Sequence, residues 1–473
     1  MNKTIIASIM PEESRMALVE DGEPVEYVLE RGATGHLVGN IYKGKVKNVL
    51  PGMQAAFIDI GGDKNAYLYV ENVDANEGRL TVGQDILIQI VKDASGSKGP
   101  RATTGLMLPG RYAVLAPYAD GTGVSRRIED EAERQRLRQL ADKVKPEGMG
   151  VIVRTAAAGC SETELARDVE YLYNLWAALA ARAKRSPAPT LLYRDVDLAI
   201  RIVRDYLDDD VTEVVIDNRD AYGRVCDLLQ HLAPAALAKV KFYEDPEDVF
   251  VHYGIAADLS RLLKREVELA CGGFLVIDQT EALTVIDVNT GRFVGDTSLG
   301  DTVFRVNMEA AAEIARQLRL RDIGGIIIVD FIDMAKEEHK QTVLAFLAEK
   351  MRQDRTRSKI LGLTSLGLVE ITRKKGRPDL NSLMYSECPC CEGRGRIQSP
   401  ETVAINIRRR LRQAAAQRKL ASRLVIQAHP QVVEILSRQG ELARLERDLA
   451  RKLTLEAVPT MHPECYSILY DKE

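Results

Sequence analysis

The sequence predicts a multi-domain α/β protein, and three observations carry that prediction. Between residues 261 and 384, two runs of β-branched residues alternate with amphipathic helical stretches, the pattern of a sheet covered by helices. Between residues 39 and 73, short strands are broken by glycine turns, the pattern of a small β-barrel. The 473 residues amount to roughly three domains. With 45% hydrophobic and 28% charged residues, the chain can bury several cores.

Taken in order, residues 3–30 alternate and turn at Asp21-Gly22, as a β-hairpin would. The stretch GNIYKGKVKNVLPGMQAAFIDIGGDKNAYLYVENV then interleaves Tyr42, Phe57, Tyr67 and Tyr69 with Lys43, Lys45 and Lys47. Aromatic and basic residues on one face of a barrel suit single-stranded nucleic acid, although such aromatics also fill barrel interiors. A glycine- and lysine-bearing loop follows at Ser95-Gly-Ser-Lys-Gly-Pro100, then a mixed region opening with Arg111 and Tyr112 and carrying Arg126 and Arg127. It ends in a strand, Gly150-Val-Ile-Val-Arg-Thr155, and a helix. Ser161 and Glu164 form a capping box at that helix's start. Leu165, Val169, Leu172, Trp176 and Leu179 give it a core stripe at 3.6 periodicity. Pro187-Ala-Pro189 marks a boundary, and residues 190–260 read as helix, strand (Glu213–Asp217), helix, strand and loop. Helices are expected at about 301–320 and 335–355. Beyond Pro400 lies a basic helix, with seven Lys/Arg against one Glu between 401 and 423. A strand, helix and strand follow, making a small α+β unit. The basic run can bind RNA phosphates, form a solvated face or lie between protomers.

The two apolar runs are Thr284-Val-Ile-Asp-Val-Asn289 and Ile326-Ile-Ile-Val-Asp-Phe-Ile-Asp333. Continuous runs of this kind predict strands buried on both faces. Each delivers an aspartate at its end, and a carboxylate there is costly unless a cation meets it. Asp287 and Asp330 are therefore candidate ligands of one hard cation, most simply Mg²⁺, which takes one or two carboxylates and leaves room for water and phosphate oxygens. A single strand-end aspartate often only caps a helix or turn; a matched pair is harder to explain that way. Strand alternation puts Asn289 on the face of Asp287, and Asp333 on the face opposite Asp330. The expected chemistry is hydrolysis at phosphate.

Composition narrows the remainder. Net charge is −4 and the pI about 6.0, so any nucleic-acid surface must be local. No stretch approaches the roughly 18 apolar residues of a membrane span. The opening MNKTIIASIMPEESR is broken too early by Pro11 to be a secretory signal. Seven cysteines, three of them at Cys388, Cys390 and Cys391, fit a reducing cytoplasm and a metal better than disulfides.

In order behind the barrel, the strings TVIDVNTG, ARQLRLRDIGGIIIVDFIDM, RQDRTR and CPCCEGRG resemble the bacterial RNase E/RNase G endoribonucleases, most closely the short RNase G type. The resemblance runs from the first hairpin to the C-terminus. It implies an RNase H-like domain (1–35 and 193–262) interrupted by an S1-type OB-fold (36–105) and a 5′-end sensor region (106–192). A DNase I-like catalytic domain (263–384), a zinc link (385–398) and a small C-terminal domain (399–473) follow. It further implies that Asp287 and Asp330 hold the catalytic Mg²⁺ while Asn289 orients the site. Arg154, Thr155 and Arg357 match the 5′-monophosphate sensor; a guanidinium beside a hydroxyl suits a terminal phosphate, though alone the pair is a weak signal. Phe57, Tyr67 and Lys98 match positions that grip RNA, with Tyr67 standing where the family commonly has phenylalanine. Arg126 is counted with them. The implied activity is internal cleavage of single-stranded A/U-rich RNA, stimulated by a 5′-monophosphate and leaving a 5′-phosphate and a 3′-hydroxyl. The implied roles are rRNA processing and mRNA decay. The sequence shows no long tail of the kind larger RNase E members use to scaffold a degradosome, so assembly by that route is not expected.

Cys388 and Cys391 form a Cys-x-x-Cys knuckle, and two thiolates cannot complete a tetrahedral zinc site. Cys465, His429 and His462 look isolated, so the simplest completion is the same knuckle from a second chain. The family resemblance implies the same: a zinc link joins protomers into a homodimer and then a homotetramer. Cys390 adds a thiol inside the motif that could compete as a ligand. A redox role for the pair is disfavoured because no thioredoxin-like context is visible around it. Two rivals to the nuclease reading are a catalytically silent RNA-binding scaffold and a DNA or sugar-phosphate hydrolase.

Overall fold

A computed structural model describes residues 2–31, 37–50, 52, 54–69, 80–94, 98–195, 197–208, 210–291, 299–375, 379–416 and 423–470. Residues 95–97 of the glycine-lysine loop and 417–422 of the basic run lie outside the described residues. The chain forms two compact units, Met1–Leu383 and Met384–Glu473. Among the described residues, no helix is long and apolar enough to cross a membrane.

The N-terminal segment is a three-stranded meander rather than a single hairpin: Lys3–Ile9, Glu13–Glu20 and Glu23–Arg31. Its second turn is the expected one. Asp21 and Gly22 both take positive φ (49° and 92°), the two-residue geometry that matches strand twist. Strand Val211–Ile216 pairs in parallel with Lys3–Ile9, and Val240–Phe242 pairs in parallel with Val211–Ile216, completing a five-stranded sheet. The chain between 41 and 193 is inserted into this sheet's connection.

The first part of that insertion is a closed five-stranded barrel of Ile41–Leu50, Ala55–Asp59, Ala66–Tyr69, Arg101–Thr103 and Asp85–Lys92. Pairing of the first strand with the last closes it. Gly44 sits where the wall is tightest: a Cβ there would lie 2.4 Å from Ile58 Cγ2. Behind the barrel, a four-stranded sheet carries helix Glu162–Arg185. That helix has the expected capping box, and Leu165, Val169, Leu172, Trp176 and Leu179 are all buried.

The last part of the first unit is a six-stranded sheet in the order Glu266–Glu268, Phe274–Gln279, Leu283–Asn289, Gly325–Asp330, Val369–Arg373, Ser358–Leu363. Leu283–Asn289 and Gly325–Asp330 are parallel neighbours, so a crossover must join them. Helix Leu299–Leu320 lies on that crossover and packs with Glu337–Met351 on one face, burying Val306, Ala310, Ile314, Val343 and Leu347 against Ile286, Ile327 and Val329. Among the described residues, the other face carries no layer. Ile326 is 51% exposed, and burial alternates along both strands. This corrects the expectation of strands buried on both faces: the apolar residues of the second face remain partly open.

The second unit is a three-stranded sheet, Lys452–Ala457, Arg423–Ala428 and Tyr466–Tyr470, packed on helices Pro400–Ala416, Pro430–Ser437 and Glu441–Leu449. The basic helix is amphipathic. Val403, Ala404, Ile407 and Leu411 are buried, so one face belongs to the core.

Candidate active site

Parallel register decides the central geometry. Along Leu283–Asn289, Thr284, Ile286 and Val288 face the helices, which turns Asp287 and Asn289 to the open face. On the neighbouring strand Val329 is buried, so Asp330 points the same way as Asp287. The two aspartates are direct register partners. Neighbouring strands lie about 4.8 Å apart, so the carboxylates sit side by side. Both are exposed, and among the described residues neither has a salt-bridge partner. Asn289 Nδ2 donates to Asp287 Oδ2 at 2.9 Å, holding that carboxylate in place. Two unpaired like charges about 4 Å apart repel by roughly 4 kcal/mol at an effective dielectric near 20, less in open water. A divalent ion reverses that sign. Among the described residues no third His, Cys, Asp or Glu joins the pair in a metal-binding cluster. Strand Gly325–Asp330 ends at Asp330, so alternation does not extend to Asp333. Asp333 lies beyond the strand, at a separate cavity with Glu337 and Lys340.

A cleft of about 800 Å³ brings Arg154 and Thr155 together with Ser125, Arg127, Asp205 and Arg355. Arg154 ends the run after strand Gly150–Val153, and Thr155 opens a 3₁₀ turn. The Arg154 guanidinium is already engaged: it donates to Asp205 Oδ1 at 2.7 Å and to the Gly110 carbonyl. Burial pushes the Asp205 carboxyl up, but Arg204 and Arg154 outweigh it and hold the group below the ordinary range. Thr155 Oγ1 lies 2.9 Å from Ser125 Oγ. Arg357 is exposed and does not line this cleft; its neighbours Arg355 and Thr356 do. Arg355 donates to Asp208 Oδ2 at 2.8 Å.

On the barrel, Phe57 and Tyr67 meet edge to face at 5.6 Å, and Tyr67 and Tyr69 do so at 4.7 Å. The Arg101 guanidinium lies over Tyr69 at 4.7 Å. Tyr42 is buried and fills the interior. Lys98 and Arg126 are exposed. The three strand lysines lie near two acids, Lys43 and Lys45 sharing Asp85 and Lys47 meeting Asp59, so part of the barrel's positive charge is offset.

In the second unit, Cys388 and Cys391 lie in a turn ahead of helix Pro400–Ala416. The backbone N–H groups of Cys391 and Cys390, with the Cys391 thiol, lower the Cys388 thiol below its usual range. Gly395 N–H donates to Cys391 Sγ at 3.3 Å. A lowered Cys388 thiol and a Cys391 sulfur that accepts a backbone N–H fit a thiolate half-site for zinc. All seven cysteines are free. His462 is not isolated, as its sequence position suggested: its Nε2 lies 2.6 Å from the Cys390 carbonyl, and its Nδ1 accepts from Glu464 N–H at 3.2 Å.

Residues 107–376 match the family model described as the ribonuclease E/G family, and residues 387–472 match one described as RNase E/G, thioredoxin-like domain. Ribonuclease G of Escherichia coli K12 is 39% identical over 488 residues, covering 99% of this chain and all of the relative. The chain belongs to the ribonuclease E/G family. Ribonuclease G of Haemophilus influenzae is 38% identical over 98% of the chain. Ribonuclease E of Nostoc sp. is 40% identical over 82% of this chain and 58% of its own length. The chain is thus similar to ribonuclease G from end to end.

The second match corrects the reading that no thioredoxin-like context surrounds the cysteines: the domain carrying them is described as thioredoxin-like. The cysteines sit in an irregular, turn-rich segment, with no strand leading directly into them and residues 392–399 separating Cys391 from helix Pro400–Ala416. Sequence reasoning also missed Asp205 beside Arg154, and the ion pair between Asp354 of RQDRTR and Arg373, whose side chains are each 3% exposed. An acid inside an arginine-rich motif is the only local signal of the latter.

Proposed function

We propose that this member of the ribonuclease E/G family is a Mg²⁺-dependent endoribonuclease of the ribonuclease G type. It cuts single-stranded, A/U-rich RNA to 5′-phosphate and 3′-hydroxyl ends and is stimulated by a 5′-monophosphate. The observation that carries this reading is the register pairing of Asp287 with Asp330 on an open sheet face. Their carboxylate oxygens would hold the ion, while the Asn289 amide fixes the orientation of Asp287. When bound there, the ion would supply charge stabilisation for displacement at a phosphate. A water oxygen forms the new bond to phosphorus, the bond from phosphorus to the 3′-oxygen breaks, and that oxygen leaves with a proton. The open face leaves room for an extended strand.

Phe57, Tyr67, Lys98 and Arg126 are assigned to gripping that strand; the half-buried Phe57 and Tyr67 rings, with the exposed Tyr69 beside them, support this. Arg154, Thr155 and Arg357 are assigned to the 5′-monophosphate. Reading it through Arg154 requires the phosphate to share or replace Asp205. We read the five-stranded N-terminal sheet with residues 193–262 as RNase H-like, the barrel as S1-type and the six-stranded sheet as DNase I-like. Cys388 and Cys391 would bind Zn²⁺ together with the same pair of a second protomer, linking a dimer and then a tetramer. Cytoplasmic processing of rRNA and decay of mRNA are the proposed roles. The test is Asp287→Asn with Asp330→Asn: cleavage of an oligoribonucleotide should vanish while RNA binding persists. Retained cleavage rejects the assignment, and loss of cleavage without any Mg²⁺ requirement in the parent enzyme rejects the metal.

A further inference from the structure

Asn307 sits at the centre of helix Leu299–Leu320 and is fully buried, among Val306, Ala310 and Ala311 of the face that packs on the sheet. An amide there is costly unless its donor and acceptor are both satisfied, and asparagine is a mediocre helix former. Both groups are satisfied by a single residue. Asn307 Nδ2 donates to the Ile332 carbonyl at 2.8 Å, and Asn307 Oδ1 accepts from the Ile332 N–H at 3.1 Å. These are the two bonds that one residue of an antiparallel strand would offer, so the side chain acts as a substitute strand partner. It does so where the chain has just left the sheet, two residues beyond Asp330. Phe331 between them is itself buried at 7% exposure.

The segment 330–332 is therefore clamped twice, by the Phe331 ring in the core and by the Asn307 amide on Ile332. With the peptide on its C-terminal side fixed, the backbone of Asp330 has little freedom, and its carboxylate keeps the direction that sets it beside Asp287. Asp287 receives its restraint from the front, through Asn289. Asp330 receives it from behind, through Asn307.

We propose that Asn307 is a positioning residue for Asp330, holding the carboxylate pair at metal-binding separation without touching metal or substrate. This rests on the reading of Asp287 and Asp330 as the metal pair. The test uses the full chain and Mn²⁺ as a spectroscopic probe, with its affinity measured without RNA by electron paramagnetic resonance. Asn307→Leu, close in volume and unable to form either bond, should weaken Mn²⁺ binding and lower kcat by about tenfold to a hundredfold, as outer-sphere partners of metal ligands do. KM for RNA should stay within about twofold. Should Asn307→Leu fail to fold, Asn307→Ala carries the same test, because it also removes both bonds to Ile332 while adding no bulk and favouring the helix. A folded variant whose melting temperature drops while Mn²⁺ affinity and kcat match the parent makes Asn307 purely structural and overturns the inference. Asp287→Asn with Asp330→Asn separates the two levels. If that protein still binds Mn²⁺ with parental affinity, the metal reading fails; if it does not and the Asn307 variants bind normally, only the positioning role fails.

Discussion

The buried pair of Asp354 and Arg373 allows a worked prediction. Arg373 Nε donates to Asp354 Oδ2 at 2.7 Å and Nη2 donates to Oδ1 at 3.3 Å, a bidentate contact. Nη1 donates to Asp322 Oδ1 at 2.7 Å and to the Ile323 carbonyl at 3.0 Å. Burial pulls the Arg373 pKa down, but the two carboxylates outweigh it and raise the guanidinium above its ordinary value. Arg373→Met leaves the Asp354 carboxylate buried with the Thr356 N–H, at 2.8 Å, as its remaining side-chain contact. Removing one partner of such a pair costs about 3–5 kcal/mol. Asp354→Asn is milder: Arg373 keeps Asp322 and Ile323, and the amide still accepts a bond, so a cost of about 1–3 kcal/mol is expected. Combining Arg373→Met with Asp354→Leu should cost less than Arg373→Met alone, because the buried Asp354 charge is then no longer left without its partner. Urea unfolding followed by far-UV circular dichroism measures all three. An Arg373→Met cost under about 1 kcal/mol, or a double variant worse than that single one, would refute the reasoning.

Glu133 is held down to about 2 from an ordinary 4.5, first by Arg136 and then by the Gly159 N–H. Its stabilising contribution is therefore full above pH 4.5 and is lost as pH falls toward 2; the stability gap between parent and Glu133→Gln should be flat near neutrality and close over that acid window. Ser161→Ala removes half of the capping box of helix Glu162–Arg185 and should cost about 1 kcal/mol in thermal or urea unfolding. Tyr67→Ala should weaken binding of a labelled oligoribonucleotide by about 1–3 kcal/mol, with Tyr67→Phe close to parental; anisotropy titration decides, and equal losses in both variants would deny stacking. Cys388→Ser should release zinc and lower the assembled mass seen by light scattering, and an unchanged mass would remove the knuckle from the proposed interface.

Local spacing made several features legible. The Ser161–Glu164 box and the stripe through Trp176 depend on residues three or four apart, and helical geometry brings these together whatever lies elsewhere. The shared face of Asp287 and Asn289 depends on a two-residue repeat for the same reason. The openness of that face was misread because a run of β-branched residues looks the same whether one or two layers cover it, and here helices cover only one. His462 was misread because 72 residues separate it from Cys390.

By itself, then, the sequence determined the two aspartates as strand-end carboxylates, the amide beside one of them, the knuckle and the helix caps, all short-range consequences of backbone periodicity. Only the tertiary structure decided that Asp287 lies in direct strand register with Asp330, that Asp205 occupies Arg154, that Asp354 meets Arg373 and that Asn307 braces Ile332. A register between two parallel strands is set by how the crossover helix packs its apolar face on the sheet. That choice minimises exposed surface over the whole core, and no local stretch of sequence carries it.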